Sequence, residues 1–197
     1  VINYWNAMID EMGCSLNANI LTPEVANEGF DFIWTHIWES QTARDECWNN
    51  WGDNYKTEYD KTIEGIMSYD LDNVYMFTPT IGKQPKMQNN TGSFVNSFYF
   101  CTFNDGYSMS DLDSYQAALN NVDGFSDYWW YATLEPTFEP ADPKPDFVWV
   151  DIWASNEDEA SDRENWSQTD LPAVVEEKFS CLPNASGAGF IGTVIRS

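Results

Sequence analysis

The sequence predicts an α+β protein made of two copies of one unit, each ordering its elements as a split βαβ. Three observations carry that expectation. Asp31 to Ser40 reads DFIWTHIWES and Asp146 to Ser155 reads DFVWVDIWAS, identical at six of ten positions at a constant offset of 115. The same offset carries Asn50-Trp51 onto Asn165-Trp166 without a gap. Upstream, Ile2, Trp5, Ile9 and Met12 have the 3-4-3 spacing of one helical face, and Leu112, Tyr115, Leu119 and Val122 repeat it.

The elements follow in order. Each copy opens with an amphipathic helix, over about 1–13 and about 109–122. The second of these carries overlapping Ser-x-x-Asp caps at Ser108 to Asp111 and Ser110 to Asp113. A β-rich run follows, Ser15 to Pro23 and Tyr128 to Pro136, where Leu21-Thr-Pro23 answers Leu134-Glu-Pro136 with a shift of two. The strand of the repeated motif comes next, then a second helix opened by Thr42-x-x-Asp45 or Ser155-x-x-Asp158. In the first copy Trp48, Trp51 and Tyr55 continue that helix, weakened by Gly52. A last strand closes each copy, about Val74 to Thr78 and about Lys178 to Leu182. One more strand, Phe98 to Phe103, precedes the second copy's first helix, which makes that copy β-α-β-β-α-β. The first copy lacks a counterpart, because Val1 already lies in its helix. The expected organisation is a first copy over 1–79, a linker over 80–93 rich in Gly, Pro and Asn, and a second copy with a C-terminal tail over 94–197.

Composition excludes several function classes. Nine Lys and Arg against 32 Asp and Glu leave a net charge of −23, which repels phosphate backbones and anionic lipid. No nucleic-acid partner is therefore expected. No apolar run approaches the roughly 18–20 residues that span a bilayer, so no membrane insertion is expected either. The strong acidity and low Lys content suit a chain exposed to salt, and the expected location is periplasmic or secreted. The start at Val1 reads as a processed chain or a fragment. Four cysteines, Cys14, Cys47, Cys101 and Cys181, form no CxxC pair and permit two disulfides in three connectivities. Three Asn-x-Ser/Thr matches, at Asn89, Asn165 and Asn184, would matter only in a eukaryotic secretory pathway.

Two ferredoxin-like copies in one chain resemble the dimeric α+β barrel superfamily in a fused form. The resemblance rests on element order and duplication over nearly the whole chain, with no catalytic signature. It implies tandem ferredoxin-like repeats forming an α+β barrel, and a pocket, but no particular reaction; the superfamily includes cofactor-free monooxygenases and haem enzymes. In that split order the first helix ends near the start of the antiparallel second helix, which brings Cys14 towards Cys47. The first and last strands are neighbours, which brings Cys101 towards Cys181. Those two bonds are the expected pairs.

Alternation along the repeated strand separates two faces. Phe32, Trp34, His36 and Trp38 share one, and Ile33, Thr35 and Ile37 the other; Phe147, Trp149, Asp151 and Trp153 oppose Val148, Val150 and Ile152 in the same way. The β-branched face reads as the bed for the helices, which leaves the aromatic faces to meet inside a barrel. His36, the only histidine, aligns with Asp151. The expected ligand-binding residues are thus Trp34, His36, Trp38, Trp149, Asp151 and Trp153, with His36 and Asp151 the candidate catalytic pair.

No metal site is expected, since one histidine and scattered cysteines cannot build one. The G-x-G-x-x-G at Gly187 to Gly192 has no helix after it to receive a pyrophosphate. The acidic stretches Asn156 to Asp162 and Asn104 to Asp113 lack the calcium-loop pattern and read as solvated helix faces and caps. Three functions fit: an exported binding protein for a small apolar or aromatic molecule; a structural protein that pairs sheets between subunits, with self-assembly through the β-prone tail Gly189 to Arg196; and a small enzyme, cofactor-free or haem-dependent, using His36 and Asp151.

Overall fold

A computed structural model describes residues 1–26, 28–139, 144–183 and 189–197. The Asn184 match and Gly187 of the glycine motif lie outside the described residues. The fold is α+β with antiparallel strand pairing. The chain divides into two compact units: unit 1 holds residues 1–21, 33–74 and 193–197, and unit 2 holds 22–32 and 75–192.

In unit 1, α1 (Ile2–Met12) buries Trp5, Met8 and Ile9, the stripe set by the 3-4-3 spacing, and ends at Gly13 with φ 69°. Strand β1 (Leu16–Pro23) pairs antiparallel with β2 (Ile33–Trp38), Ala18 facing His36. Helix α2 (Gln41–Asn50) is capped by Ser40, whose Oγ accepts from the Ala43 amide at 3.1 Å, and not by Thr42. Ser40 still has extended dihedrals, so its side chain can turn back on the first turn, whereas Thr42 is already helical. A π turn over Trp51–Tyr55 carries Gly52 without breaking the helix, and α3 (Lys56–Ile63) continues it. The aromatic face of β2 packs towards α1: Trp34 and Trp38 join Trp5, Met8, Tyr59 and Ile63 in the core. Ile33 and Ile37 are exposed. This reverses the expected bed, because rings fill the deep gap between sheet and helix and bury far more area than β-branched side chains.

In unit 2, β3 (Phe77–Lys83) runs five residues beyond the closing strand expected there, and β4 (Ser93–Phe103) opens five residues earlier than expected. Gly82 permits this extension. A Cβ there would fall 1.9 Å from the ring of Tyr131 on the neighbouring strand. Helix α4 (Met109–Asn120) starts with a capping box between Ser108 and Asp111. Strands β5 (Trp130–Pro136) and β6 (Phe147–Trp153) follow, then α5 (Asn156–Ser167), capped by Ser155 as expected. A short α6 (Leu171–Lys178), with Pro172 in its first turn, precedes β7 (Phe179–Pro183). No helix is expected here from the sequence. The strand order β7-β4-β6-β5 is the 4-1-3-2 order of a split βαβ, with β3 added beside β5.

Strand β8 (Phe190–Arg196) is the predicted tail strand. Within unit 1 it neighbours β1. Residues 193–197 belong to unit 1, where Asn6 Nδ2 donates to the Ile195 carbonyl at 2.9 Å and Arg196 reaches Asp10 at 2.6 Å. The disulfides are Cys14–Cys47 and Cys101–Cys181, the expected pairs, with Cα atoms 5.9 and 4.0 Å apart. No helix among the described residues is long and apolar enough to cross a membrane.

Candidate functional site

Strand β6 of unit 2 alternates strictly, so Phe147, Trp149, Asp151 and Trp153 project to one face. Helices α4, α5 and α6 lie over that face and bring Leu112, Tyr115, Trp166 and Val175 to it. The packing is incomplete. A cavity of about 220 Å³ remains, lined by β4, β6, β7 and the three helices. Its floor includes the Cys101–Cys181 disulfide, which joins directly opposed residues of β4 and β7.

Most of the lining is aromatic. Tyr131 stacks on Trp149 with centroids 4.2 Å apart, and Phe125 stacks on Trp129 at 4.3 Å. Into this apolar wall the strand places one carboxylate. Asp151 accepts the indole N–H of Trp129 at 3.0 Å on one oxygen and that of Trp149 at 2.9 Å on the other. Enclosure by protein pushes its pKa up to about 6, and the two indole donors hold it from going higher.

Helix α5 supplies the other polar groups. Glu159, Asp162, Arg163 and Trp166 share one face of it. Asp162, expected on a solvated face, is 2% exposed. It accepts the Ser126 amide at 2.8 Å and the Trp153 indole at 3.1 Å, and burial raises its pKa. Arg163 stacks over Trp153 and Tyr99, with centroid distances of 5.2 and 5.7 Å. Its Nε and Nη2 both donate to Glu159, at 2.8 and 2.7 Å, and Nη2 also donates to Ser97 at 3.0 Å.

Of the residues predicted from sequence, Trp149, Asp151 and Trp153 line this cavity. Trp34, His36 and Trp38 belong to unit 1, where His36 stacks on Trp5 at 5.4 Å and meets the edges of Trp34 and Trp38. Burial, aided by the nearby Arg44 charge, lowers the His36 pKa to about 4, so the ring is neutral. Its Nε2 has no hydrogen-bond partner among the described residues. Sequence reasoning missed Tyr99, Tyr115, Trp129, Asp162 and Arg163. The usable signal was Trp166: the aromatic residue of an otherwise polar helix marks the buried face, and Asp162 and Arg163 lie one turn before it.

No protein-family model and no curated protein matches the chain. Crystal structures that resemble it include two of monooxygenase or oxidase-like proteins. One is an anthrone oxidase-like protein, with a TM-score of 0.52 at 12% identity, covering 98% of this chain and 84% of its own. The other is a presumed monooxygenase from Lactobacillus acidophilus NCFM, with a TM-score of 0.45 at 11% identity, covering 99% and 85%. The first likeness establishes a shared fold. The chain thus has an α+β fold with two disulfides.

Proposed function

We propose that unit 2 binds a small, flat aromatic molecule in the cavity against β6. The observation that carries this reading is a void bounded by Trp129, Trp149, Trp153 and Tyr115 with two enclosed carboxylates in its wall, Asp151 and Asp162. Packed cores leave few such voids, and an apolar cavity of about 150 Å³ already accepts benzene. At about 220 Å³ this one suits one or two fused rings. The name of the anthrone oxidase-like neighbour supports the same ligand type, anthrone being a flat aromatic ketone. Tandem ferredoxin-like copies fused into a barrel, and a periplasmic or secreted location, complete the reading. The repeated motif and the split order of unit 2 support the first, and two disulfides support the second.

A second reading makes the protein an enzyme in which Asp151 takes a proton from the bound molecule. A pKa near 6 leaves this carboxylate ionised at neutral pH yet more basic than an ordinary one.

Tryptophan fluorescence titration with 1-naphthol tests the binding reading. Saturable quenching is expected in the native chain, and its loss in Val175→Trp, which fills the cavity from α6. Absence of saturable quenching in the native chain would refute the reading.

A further inference from the structure

We infer that the molecule held in this cavity is an organic cation, an aromatic or N-alkylated ammonium, with Asp151 as its counter-ion. The inference rests on the proposed binding site and adds the charge of its occupant.

The charges of the wall do not balance. Arg163 is the guanidinium that lines the cavity, and two of its nitrogens are already committed to Glu159. That pair is neutral as a unit. Asp151 is held only by two uncharged indole N–H groups, and among the described residues no ion pair reaches it. Asp162 likewise accepts from an amide and an indole. Lys83 acts on Asp162 by charge, but Asp151 has no ion-pair partner among the described residues; a carboxylate so placed, deep in protein, is costly, and a cationic ligand relieves the cost.

The rings favour the same sign. An indole presents a negative face to a cation, and Trp is the strongest of the three aromatic side chains in this role. The walls already hold resident cations. Arg163 lies over Trp153 and Tyr99, and the Lys83 ammonium lies 4.6 Å from the centroid of Trp129. Arg163 is committed to Glu159, and the Lys83 ammonium lies on the ring of Trp129 within reach of the Asp162 charge, so an anionic ligand would have to draw a cation from these partners while approaching a chain of net charge −23. An aromatic enclosure with a buried carboxylate is the chemistry that selects a soft, weakly hydrated cation over a neutral ring.

Isothermal titration calorimetry on the full, disulfide-bonded chain at pH 7.5 and physiological salt decides, using three probes with one ring in common: benzyltrimethylammonium, benzyl alcohol and benzoate. The ammonium is expected to bind at least about tenfold more tightly than benzyl alcohol, and benzoate not measurably. Asp151→Asn should weaken the ammonium about tenfold and leave benzyl alcohol nearly unchanged. Val175→Trp, which leaves Asp151 in place, should abolish binding of both. Equal binding of ammonium and alcohol, ammonium affinity unchanged by Asp151→Asn, or ammonium binding retained in Val175→Trp overturns the cation assignment; in the first case the aromatic cavity stands. Failure of all three probes overturns the cavity reading together with it.

Discussion

Trp149 donates its indole N–H to Asp151, two residues further along the same face of the same strand, at 2.9 Å. Trp129 makes the matching bond from outside the strand, so both carboxylate oxygens are engaged. Trp149→Phe keeps the ring and removes one donor. The Asp151 pKa should then rise further above about 6, because a bond that favours the ionised form is gone while the enclosure stays. A pH titration of the fluorescence of the remaining tryptophans reads this directly. An unchanged midpoint would show that the indole bond does not tune the carboxylate.

Asp151 and His36 should impress opposite pH dependences on stability. For Asp151 the folded pKa of about 6 lies above the unfolded value, so the folded state holds the proton more tightly and stability falls as pH rises from about 4 to about 6. For His36 the folded pKa of about 4 lies below the unfolded 6.5. Its contribution is fully present above pH 6.5 and is lost as pH falls towards 4. Each shift corresponds to at most about 3 kcal/mol. Melting curves from pH 4 to 7.5 should show Asp151→Asn gaining relative to the native chain as pH rises, and His36→Phe gaining as pH falls. Parallel curves for either variant would contradict the assigned shift.

Cys47 and Asp162 lie 115 residues apart, and each ties its helix back to the segment that follows its unit's first helix. Cys47 does so covalently, to Cys14. Asp162 does so by accepting the Ser126 amide, and Asn165 adds a bond to the Asp123 carbonyl at 2.9 Å. Cys14→Ser with Cys47→Ser should cost about 2–4 kcal/mol through loss of loop constraint. Asp162→Ala should cost a similar amount by a different route, since the Ser126 amide and the Trp153 indole are left buried without a partner, at about 1–3 kcal/mol each. Only the first loss should be reproduced by adding reductant to the native chain under conditions where Cys101–Cys181 stays closed. Denaturant unfolding measures both.

Much of this was legible before the structure, and the part that was not has a physical reason. Spacing identified α1 and α4, and their order in a split βαβ brought Cys14 to Cys47 and Cys101 to Cys181. Alternation separated the two faces of β6 but not which face meets the helices, because period two is symmetric about the sheet. Volume decides that, and the rings of Trp149 and Trp153 fill what Val150 and Ile152 cannot. The site residues of α5 were hidden by composition: among Glu157, Asp158, Glu159, Asp162, Arg163 and Glu164, buried and solvated charges look alike until Trp166 fixes the rotation of the helix.

Two glycines should respond to alanine with opposite signs. Gly82 lies under the fully buried ring of Tyr131, which cannot swing away, so Gly82→Ala should destabilise by about 1–3 kcal/mol through overpacking. Gly52 has open space around its Cβ position and helical backbone on both sides. Gly52→Ala should stabilise by about 0.4–1 kcal/mol by narrowing the unfolded ensemble. Chemical denaturation of both variants checks the pair, and a stabilising Gly82→Ala would show that β3 and β5 are further apart than the register Ile81–Ala132 implies.

The tail offers the last prediction. Residues 193–197, the end of β8 and Ser197, belong to unit 1, where the strand neighbours β1 and the Ile195 carbonyl and Arg196 side chain reach α1. The Arg196–Asp10 pair is a surface contact, with Asp10 well exposed, and such pairs contribute about 0–1 kcal/mol. The backbone pairing and the packing of Ile195 on the unit 1 core outweigh it. Arg196→Ala should therefore leave the melting temperature nearly unchanged, whereas deletion of residues 193–197 should lower it markedly by exposing the free edge of β1. Solution mass should stay that of one chain in both variants, because the strand is supplied from within the molecule. A fall in mass on deletion would show instead that the tail of one molecule pairs with β1 of the next, and a melting temperature unaffected by deletion would deny the tail any role in unit 1.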